Sequence, residues 1–344
     1  MSEPMDRVEA SASARFAVAA HDVIARGGPD TPAPAISVVV PTRNRCGLVR
    51  ETMDALLAQD LAHDAFEIIV VDNASSDGTG DLLRECAERT AVRFVGAVMR
   101  KDEGPAVSRN VGVALARGAL IAFTDSDCVP TRGWLRSCID AMSAPEVGIV
   151  QGMTLASPDQ PQPLFNHFIK TKNLDGSFST SNVCYRRDAL IAAGGFDAQC
   201  IYWEDVDLGW RVRRLGWGAR FDEGALVHHQ VLRLSAWEWV THPWHFYNWP
   251  AKAARYPEFR RHLFLGLWVH WTHALFDGFV LGIVLARWRR SALLLTLPYV
   301  VAFAMRRRLT GRWPLLKPFA HFAHDCVAFG ALIAGSIRFR RPVL

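Results

Sequence analysis

Short runs of β-branched residues alternate with segments of helical spacing in the first half of the chain. Ile36–Val40 ends at a proline, and Glu67–Val71 ends at an aspartate. Between them, residues 47–59 carry apolar side chains on one helical face, and a second helical stretch follows. Continuous apolar runs of this length are typical of strands that are buried on both faces of a parallel sheet. Strand, helix, strand and helix in succession predict a doubly wound α/β fold.

Two more strands are predicted at Val92–Val98 and Ala119–Thr124, with a helix over residues 108–116 between them. The second strand runs directly into Asp125, Ser126 and Asp127. Ligands bind beyond the carboxyl ends of strands in open α/β sheets. The sequence therefore predicts an acidic ligand site at this edge.

Acidic residues recur at four such places: Asp72, Asp125 with Asp127, Glu204 with Asp205, and Asp207. A single aspartate after a strand is usually a helix cap or a turn residue. Four positions along one α/β domain favour a common site instead. Two carboxylates that are separated by one residue can share a hard divalent cation, such as Mg²⁺ or Mn²⁺, together with the diphosphate that it carries.

Five motifs occur in a fixed order within residues 35–235. They are VVVPTRN (38–44), VVDNASSDGT (70–79), GPAVSRNVG (104–112), FTDSD (123–127) and WEDVDLGWR (203–211). Together they resemble the motif set of the family 2 inverting glycosyltransferases of the GT-A fold. The resemblance implies an α/β, GT-A type nucleotide-diphospho-sugar transferase fold, with a mostly parallel sheet flanked by helices.

The resemblance also implies a role for individual residues. Donor binding falls to Pro41, Thr42, Asn44, Asp72, Arg109, Asp125 and Ser126. Pro41, Thr42 and Asn44 would line the nucleotide pocket, and Asp72 would hydrogen-bond the base or ribose. Arg109 would approach the nucleotide, where its planar guanidinium suits phosphate or base edges. Asp125 would reach the ribose or the waters of the metal.

A metal site is implied by the same resemblance. Asp127 would coordinate Mn²⁺ or Mg²⁺, which neutralises the departing nucleoside diphosphate. A late strand ends in His228 and His229. Alignment favours His229 as the second ligand, and His228 remains the alternative because one residue of register reverses the face of a strand.

Asp205 is the predicted general base, because an inverting transfer needs a carboxylate that takes the proton of the acceptor hydroxyl. It opens a predicted helix over residues 205–215, where the helix dipole favours the ionised form. Glu204 would orient the acceptor or the base. The alternative is that Glu204, Asp205 and Asp207 only cap this helix. In two further loops, Asn182 would lie near the donor sugar and Phe196 ahead of the acceptor pocket.

The formal net charge of +5 divides unevenly along the chain. Residues 251–344 contain two Lys and thirteen Arg against three acidic residues, a charge of +12, which leaves −7 for residues 1–250. This division argues against a nucleic-acid binder and favours a catalytic domain with a membrane-facing tail. Seven scattered cysteines without a Cys-x-x-Cys pair, and a start that lacks a continuous apolar segment, favour reduced thiols and no secretory signal.

Three apolar stretches occupy the tail, at residues 263–286, 291–305 and 319–337. The first is long enough to span a membrane and the third is borderline. Arginine clusters on both sides of the middle stretch favour helices in the plane of the membrane or a shallow re-entrant hairpin. His270, His273 and Asp277 share one helical face, and His321, His324 and Asp325 form a similar stripe. We expect the stripes to pack within a small bundle or against the catalytic domain, the alternative being a second metal or polyprenyl-phosphate site.

These observations predict a flexible segment (1–34), a GT-A catalytic domain (35–235) and an aromatic and basic, membrane-associated helical region (236–344). The predicted enzyme transfers a hexosyl or deoxyhexosyl group, with inversion, from a nucleotide-diphosphate sugar to a hydroxyl of a lipid-linked or cell-envelope glycan. Transfer to polyprenyl phosphate and a non-catalytic nucleotide-sugar-binding protein are the alternatives. The expected location is the cytoplasmic face of the bacterial inner membrane.

Overall fold

The computed structural model of the chain describes residues 19–30, 33–163, 165–200, 203–305 and 316–344. The chain divides into two compact units. Unit 1 comprises the residues up to Gln160 together with Phe168–Val231, and unit 2 comprises Pro161–His167 and Leu232–Leu344.

Unit 1 is built on a nine-stranded sheet of order β1-β4-β3-β2-β5-β9-β7-β10-β6. The strands are β1 (His21–Gly27), β2 (Ile36–Thr42), β3 (Phe66–Asp72), β4 (Arg93–Met99), β5 (Leu120–Thr124), β6 (Cys128–Pro130), β7 (Val147–Ala156), β9 (Asn182–Arg186) and β10 (Gly218–His229). Six of them, β2 to β5 with β7 and β10, run in one direction. The sheet is therefore mostly parallel, as predicted.

Helices connect and cover these strands: α1 (Cys46–Leu57), α2 (Thr79–Arg89), α3 (Gly104–Leu115), α4 (Trp134–Ala141), α5 (Arg187–Ala192) and α6 (Glu204–Arg214). The predicted helices over residues 47–59, 108–116 and 205–215 correspond to α1, α3 and α6. Strands β2 and β3 are buried along their whole length, which explains their unbroken apolar sequence.

Strand β1 lies inside the range 1–34 that was expected to be flexible. Its sequence, HDVIARG, has too few apolar residues to predict a strand. It forms because its backbone pairs antiparallel with the edge of β4, from His21 opposite Met99 to Gly27 opposite Phe94. Main-chain hydrogen bonding thus extends the sheet where side-chain pattern gives little signal.

A buried ion pair holds the amino ends of the parallel strands. Glu67 accepts hydrogen bonds from the Ser37 hydroxyl at 2.5 Å and from the Arg117 backbone N–H at 2.6 Å. Its other carboxylate oxygen pairs with Arg93. Both charged side chains are buried, so each compensates the desolvation of the other.

Helix α3 lies unusually close to β2. A Cβ atom on Gly112 would be 2.3 Å from Val39 Cγ1, which no real structure accommodates without movement. A glycine at this position therefore sets the spacing between the helix and the sheet. Because α3 also carries Arg109, this spacing fixes the distance of that side chain from the carboxyl ends of the strands.

Unit 2 is mainly helical. Its elements are the strand pair β8 (Asn166–His167) and β11 (Leu232–Arg233), the helices α7 (Ala236–Thr241), α8 (Trp249–Arg255), α9 (Trp271–Leu285), α10 (Leu297–Met305) and α11 (Leu316–Phe339), and three 3₁₀ segments, His242–Asn248, Pro257–His262 and Arg290–Thr296. The arginine cluster at residues 306–308 and 312 lies outside the described residues.

The helices of the tail differ in length from the predicted apolar stretches. The stretch at residues 263–286 is not one helix, because Leu265 and Gly266 adopt positive φ and α9 begins only at Trp271. In the described part of the chain, Pro318–Phe339 is the segment that is long and apolar enough to cross a membrane. The third stretch, not the first, is therefore the candidate span.

The two histidine and aspartate stripes pack within unit 2, as expected. His273, Asp277 and Asp325 line one small cavity, and His321 and His324 pack against the ring of Trp239. Asp277 accepts a hydrogen bond from Trp268 Nε1, and Asp325 accepts one from the Tyr299 hydroxyl, both at 2.8 Å. Hydrogen bonds within unit 2 thus provide partners for the carboxylates of Asp277 and Asp325.

Candidate active site

The predicted residues converge at the carboxyl ends of the parallel strands of unit 1. Thr42 ends β2 and pairs in register with Asp72, which ends β3. Asp125, Ser126 and Asp127 follow β5, and His229 ends β10. The strand-to-loop transitions therefore bring together side chains that are up to 187 positions apart, as Thr42 and His229 show.

The loops after β2 and β3 hold each other. Asn44 adopts a φ of 50°, and its side-chain oxygen accepts a hydrogen bond from the Ser76 N–H at 2.9 Å. Ser75 donates its N–H to Asp72 at 3.0 Å and also its hydroxyl. Burial raises the pKa of Asp72, although these hydrogen bonds oppose the shift.

The predicted nucleotide-pocket residues differ in whether their polar atoms already form hydrogen bonds within the protein. Pro41 is buried within β2, and the Asn44 side chain is engaged by the next loop. Thr42 Oγ1 is buried and has no hydrogen-bond partner among the described residues. A buried, unsatisfied hydroxyl costs free energy, so this atom is a candidate ligand contact.

Arg109 bridges the two sides of the acidic cluster. Its guanidinium donates to Asp125 at 3.0 Å and to Glu204 at 2.8 Å. Burial acts to lower the pKa of Arg109, but the adjacent carboxylates outweigh burial and raise it. The Arg109 side chain is only 6% exposed and binds two protein carboxylates, and its approach to the nucleotide stays a prediction.

Asp127 and His229 form the candidate metal centre. Both are buried, and His229 Nε2 lies 3.8 Å from Asp127 Oδ1. The Gln230 carbonyl accepts from His229 Nδ1 at 2.7 Å, so in the neutral ring Nε2 presents its lone pair towards Asp127. The other oxygen of Asp127 pairs with Arg45. Of the two alternative histidines, the structure places His229 beside Asp127.

The donor set fits a hard divalent cation. Ligand atoms of Asp127, Cys128 and His229 lie within 4.8 Å of one another. Burial raises the pKa of the Cys128 thiol well above its usual range, so this group is a neutral thiol and a poor ligand. A carboxylate and an imidazole remain, and they leave coordination positions for a phosphate or water.

Helix α6 carries the predicted catalytic carboxylates at its start. Its N-cap is Trp203, which makes no side-chain capping bond in the described structure. Asp207 is fully buried and accepts a hydrogen bond from Arg211 Nε at 2.7 Å, one turn further along the same helix. Asp205 accepts a hydrogen bond from the Val206 N–H at 2.7 Å. Glu204 and Asp207 pair with Arg109 and Arg211, so these two side chains do more than cap the helix.

Two side chains of the predicted loops are buried in the fold, and their positions near the donor sugar and the acceptor pocket stay predictions. Asn182 receives a hydrogen bond from Trp134 Nε1 at 2.8 Å and donates to the Ala225 carbonyl at 2.7 Å, which makes it a brace inside the sheet. Phe196 is fully buried. The Cζ atom of the Arg109 guanidinium lies over the Phe196 ring, 5.7 Å from the ring centre.

Sequence reasoning missed Arg45. This residue is the N-cap of α1, where the helix dipole disfavours a cation. No acidic residue lies in the first turn of α1 to compensate it. A basic side chain at the positive end of a helix is a usable signal that a carboxylate from elsewhere in the fold contacts it.

Comparisons with known proteins show what the chain is similar to. Residues 37–195 match the family profile described as Glycosyl transferase family 2. The chain is 26% identical over 206 residues to glycosyltransferase AglE of Haloferax volcanii, an alignment that covers 57% of this chain and 67% of AglE. It spans about half the length of other curated glycosyltransferases that it matches.

Two solved structures share the fold. One is the mannosyltransferase PcManGT from Pyrobaculum calidifontis in complex with GDP-Man and Mn²⁺, with a TM-score of 0.58, 19% identity and coverage of 98% and 99% of the two chains. The other is S. aureus TarS in complex with UDP-GlcNAc, with a TM-score of 0.54, 16% identity and coverage of 89% and 92%. The fold of the chain is thus the predicted GT-A-like α/β fold.

Proposed function

We propose that the chain is an inverting, metal-dependent glycosyltransferase that moves a sugar from a nucleotide-diphosphate sugar to a hydroxyl of a lipid-linked or cell-envelope glycan. The observation that carries the proposal is the convergence of Asp72, Asp125, Asp127, His229 and the Glu204–Asp205 pair at one edge of the sheet. A related fold holds GDP-Man with Mn²⁺, and another holds UDP-GlcNAc.

The donor side of the site is formed by the loops after β2, β3 and β5. Thr42 and Asp72 offer polar atoms to the nucleoside. Asp127 and His229 would hold Mn²⁺ or Mg²⁺, which when bound stabilises the charge of the departing nucleoside diphosphate. Asp125 is held in place by its ion pair with Arg109.

The acceptor side is formed by the start of α6. In an inverting transfer, the acceptor oxygen attacks the anomeric carbon as the bond to the diphosphate breaks, and Asp205 takes the hydroxyl proton. Asp205 lies in the first turn of α6, where the helix dipole favours the carboxylate. Glu204, held by Arg109, orients the base or the acceptor.

Unit 2 supports a membrane association for the enzyme. Apolar side chains that are about half exposed or more line α9, α10 and the segment between them; they include Leu281, Ile283, Val284, Leu294, Leu297, Val301 and Met305. Arg287, Arg289 and Arg290 are exposed in the same stretch of chain. An exposed apolar surface beside arginines suits an anionic lipid surface, and we place the enzyme at the cytoplasmic face of the bacterial inner membrane.

The donor site is tested by thermal-shift and turnover assays with UDP-, GDP- and dTDP-sugars, each with Mn²⁺ or with EDTA. We expect one nucleotide class to raise Tm in a metal-dependent way, since a bound ligand stabilises the native state. His229→Ala should remove the effect of Mn²⁺, whereas His228→Ala serves as the matched control and should keep it. If no donor shifts Tm and EDTA has no effect, the proposed site is wrong.

The reaction is tested by the anomeric configuration of the product, which should be opposite to that of the donor. Retention would overturn the inverting mechanism.

Membrane association is tested by flotation with vesicles of anionic or neutral phospholipid. Leu294→Glu should weaken binding to anionic vesicles, whereas Ile191→Glu, an exposed apolar residue of unit 1, should not. Equal binding by all three proteins would contradict the proposed role of unit 2.

A further inference from the structure

Arg45 contacts the carboxylate that the proposed function gives to the metal. Its Nη1 atom pairs with Asp127 Oδ2, while the opposite oxygen of Asp127 faces His229. The Arg45 side chain is 40% exposed, whereas that of Asp127 is only 4% exposed. A buried carboxylate is therefore neutralised by a cation that lies at the surface.

The backbone at Arg45 is held by hydrogen bonds, whereas its side chain is partly exposed. The Arg45 carbonyl accepts the first hydrogen bond of α1, from the Val49 N–H at 2.9 Å. The next residue, Cys46, donates its N–H to Asp77 at 3.0 Å. The long and partly exposed side chain can rotate away from Asp127 without any movement of the helix.

A divalent cation held by Asp127 and His229 shares its carboxylate with Arg45, and like charges on one carboxylate repel. The guanidinium is also well suited to a diphosphate, because it offers planar donors to phosphate oxygens. Arg45 lies in the loop after β2, next to the nucleotide-pocket residues Thr42 and Asn44.

We propose that Arg45 is an exchangeable counter-ion of Asp127, which leaves the carboxylate when a divalent cation binds and then contacts the diphosphate of the donor. Arg45 thereby lowers the metal affinity of the free enzyme and raises that of the donor complex. Metal and nucleotide binding become cooperative through one side chain. The inference rests on the proposed metal-dependent donor site and adds a positioning residue to it.

The test is a titration of the full-length protein with Mn²⁺, followed by electron paramagnetic resonance of the free ion, without nucleotide and with saturating UDP or GDP. Without nucleotide, Arg45→Gln should bind Mn²⁺ roughly three- to tenfold more tightly than the wild type. With nucleotide this advantage should disappear or reverse. Arg45→Lys, which keeps the charge, should stay near the wild type. Arg50→Gln removes a charge from the same helix, where Arg50 pairs with Glu85, and should have no effect.

A second readout does not depend on catalysis. Without Arg45, Asp127 is a buried charge that lacks this partner, so Arg45→Gln should lower Tm and Mn²⁺ should restore more of it than in the wild type. If the wild type binds Mn²⁺ through Asp127 and Arg45→Gln binds it equally or more weakly without nucleotide, the role of Arg45 is wrong while the metal site stands. If neither protein binds Mn²⁺, or if Asp127→Asn binds it normally, the metal site itself is wrong and the inference fails with it.

Discussion

Unit 1 buries carboxylates at both ends of its parallel strands, and the partners that compensate their negative charge differ between the two ends. At the amino ends, Glu67 is saturated by Arg93, by the Ser37 hydroxyl and by backbone N–H groups. At the carboxyl ends, Asp127 is balanced by the half-exposed Arg45, and Asp125 keeps 22% of its side chain exposed. A carboxylate that is fully compensated from within stabilises the fold, whereas one that keeps a labile partner is available to a ligand.

The largest effect is expected for Asp205→Asn, which should lower turnover with a hydroxyl acceptor by about 10²- to 10⁴-fold because the general base is lost. Tm should stay near that of the wild type. Asp188→Asn is the matched control, since Asp188 also lies in the first turn of a helix and is exposed. Steady-state kinetics measure the effect. Unchanged turnover would remove the hydroxyl-activation mechanism and favour polyprenyl phosphate, which needs no base.

At the opposite end of the sheet, Glu67→Gln should lower the free energy of unfolding by about 3 kcal/mol, because Arg93 loses its buried partner and is left with the longer contact, 3.6 Å, to the exposed Asp30. Activity per folded molecule should remain. Denaturant unfolding provides the measurement. Glu85→Gln, which breaks the surface pairs with Arg50 and Arg89, should change the free energy of unfolding little. Equal costs for the two variants would show that the amino-end cluster has no special structural role.

A change at Arg109 tests the link between donor-side and acceptor-side carboxylates. Lysine has one point charge and cannot bind Asp125 and Glu204 together in this geometry. Arg109→Lys should therefore lower kcat by roughly ten- to a hundredfold through misplacement of the acidic groups. The affinity for UDP or GDP, measured by calorimetry, should change little. Loss of nucleotide affinity with unchanged kcat would instead favour the prediction that Arg109 contacts the nucleotide directly.

The smallest expected effect is the pH dependence of stability that Asp72 introduces. Burial raises its pKa in the folded state above the ordinary value of 3.8, so the folded protein holds a proton that the unfolded chain releases. The stability from this proton is complete below 3.8 and is lost as pH rises through the folded-state pKa. Asp72→Asn should thus stabilise the protein at neutral pH by of the order of 1 kcal/mol, and less as pH falls. Urea unfolding at several pH values would show it, and a constant difference across pH would contradict this account.

The sequence predicted the parallel strands and the residues that end them, because both depend on local pattern. Apolar runs such as Ile36–Val40 contain their own signal, and the residue after each run lies at the carboxyl edge. The positions of Asp72, Asp127 and His229 at that edge follow from the sheet topology. The register of β10, which separates His228 from His229, required the structure.

Partners that come from distant parts of the chain could not be predicted. Asn182 is held by Trp134 and Ala225, and Asp127 is paired with Arg45, which lies 82 positions away. In the tail, hydropathy gave the apolar stretches but not the turn at Leu265, whose positive φ divides the first stretch. Side-chain pairing and turn geometry depend on tertiary contacts, which a single sequence does not reveal.

The missing methyl group at Gly112 has a mechanical consequence. Helix α3 rests on β2 with no room for one more carbon atom, so Arg109 is held at a fixed height above the sheet. Gly112→Ala would lift the helix and carry the guanidinium away from both carboxylates at once. The relative position of the donor-side and acceptor-side carboxylates therefore depends on how closely helix α3 packs against β2.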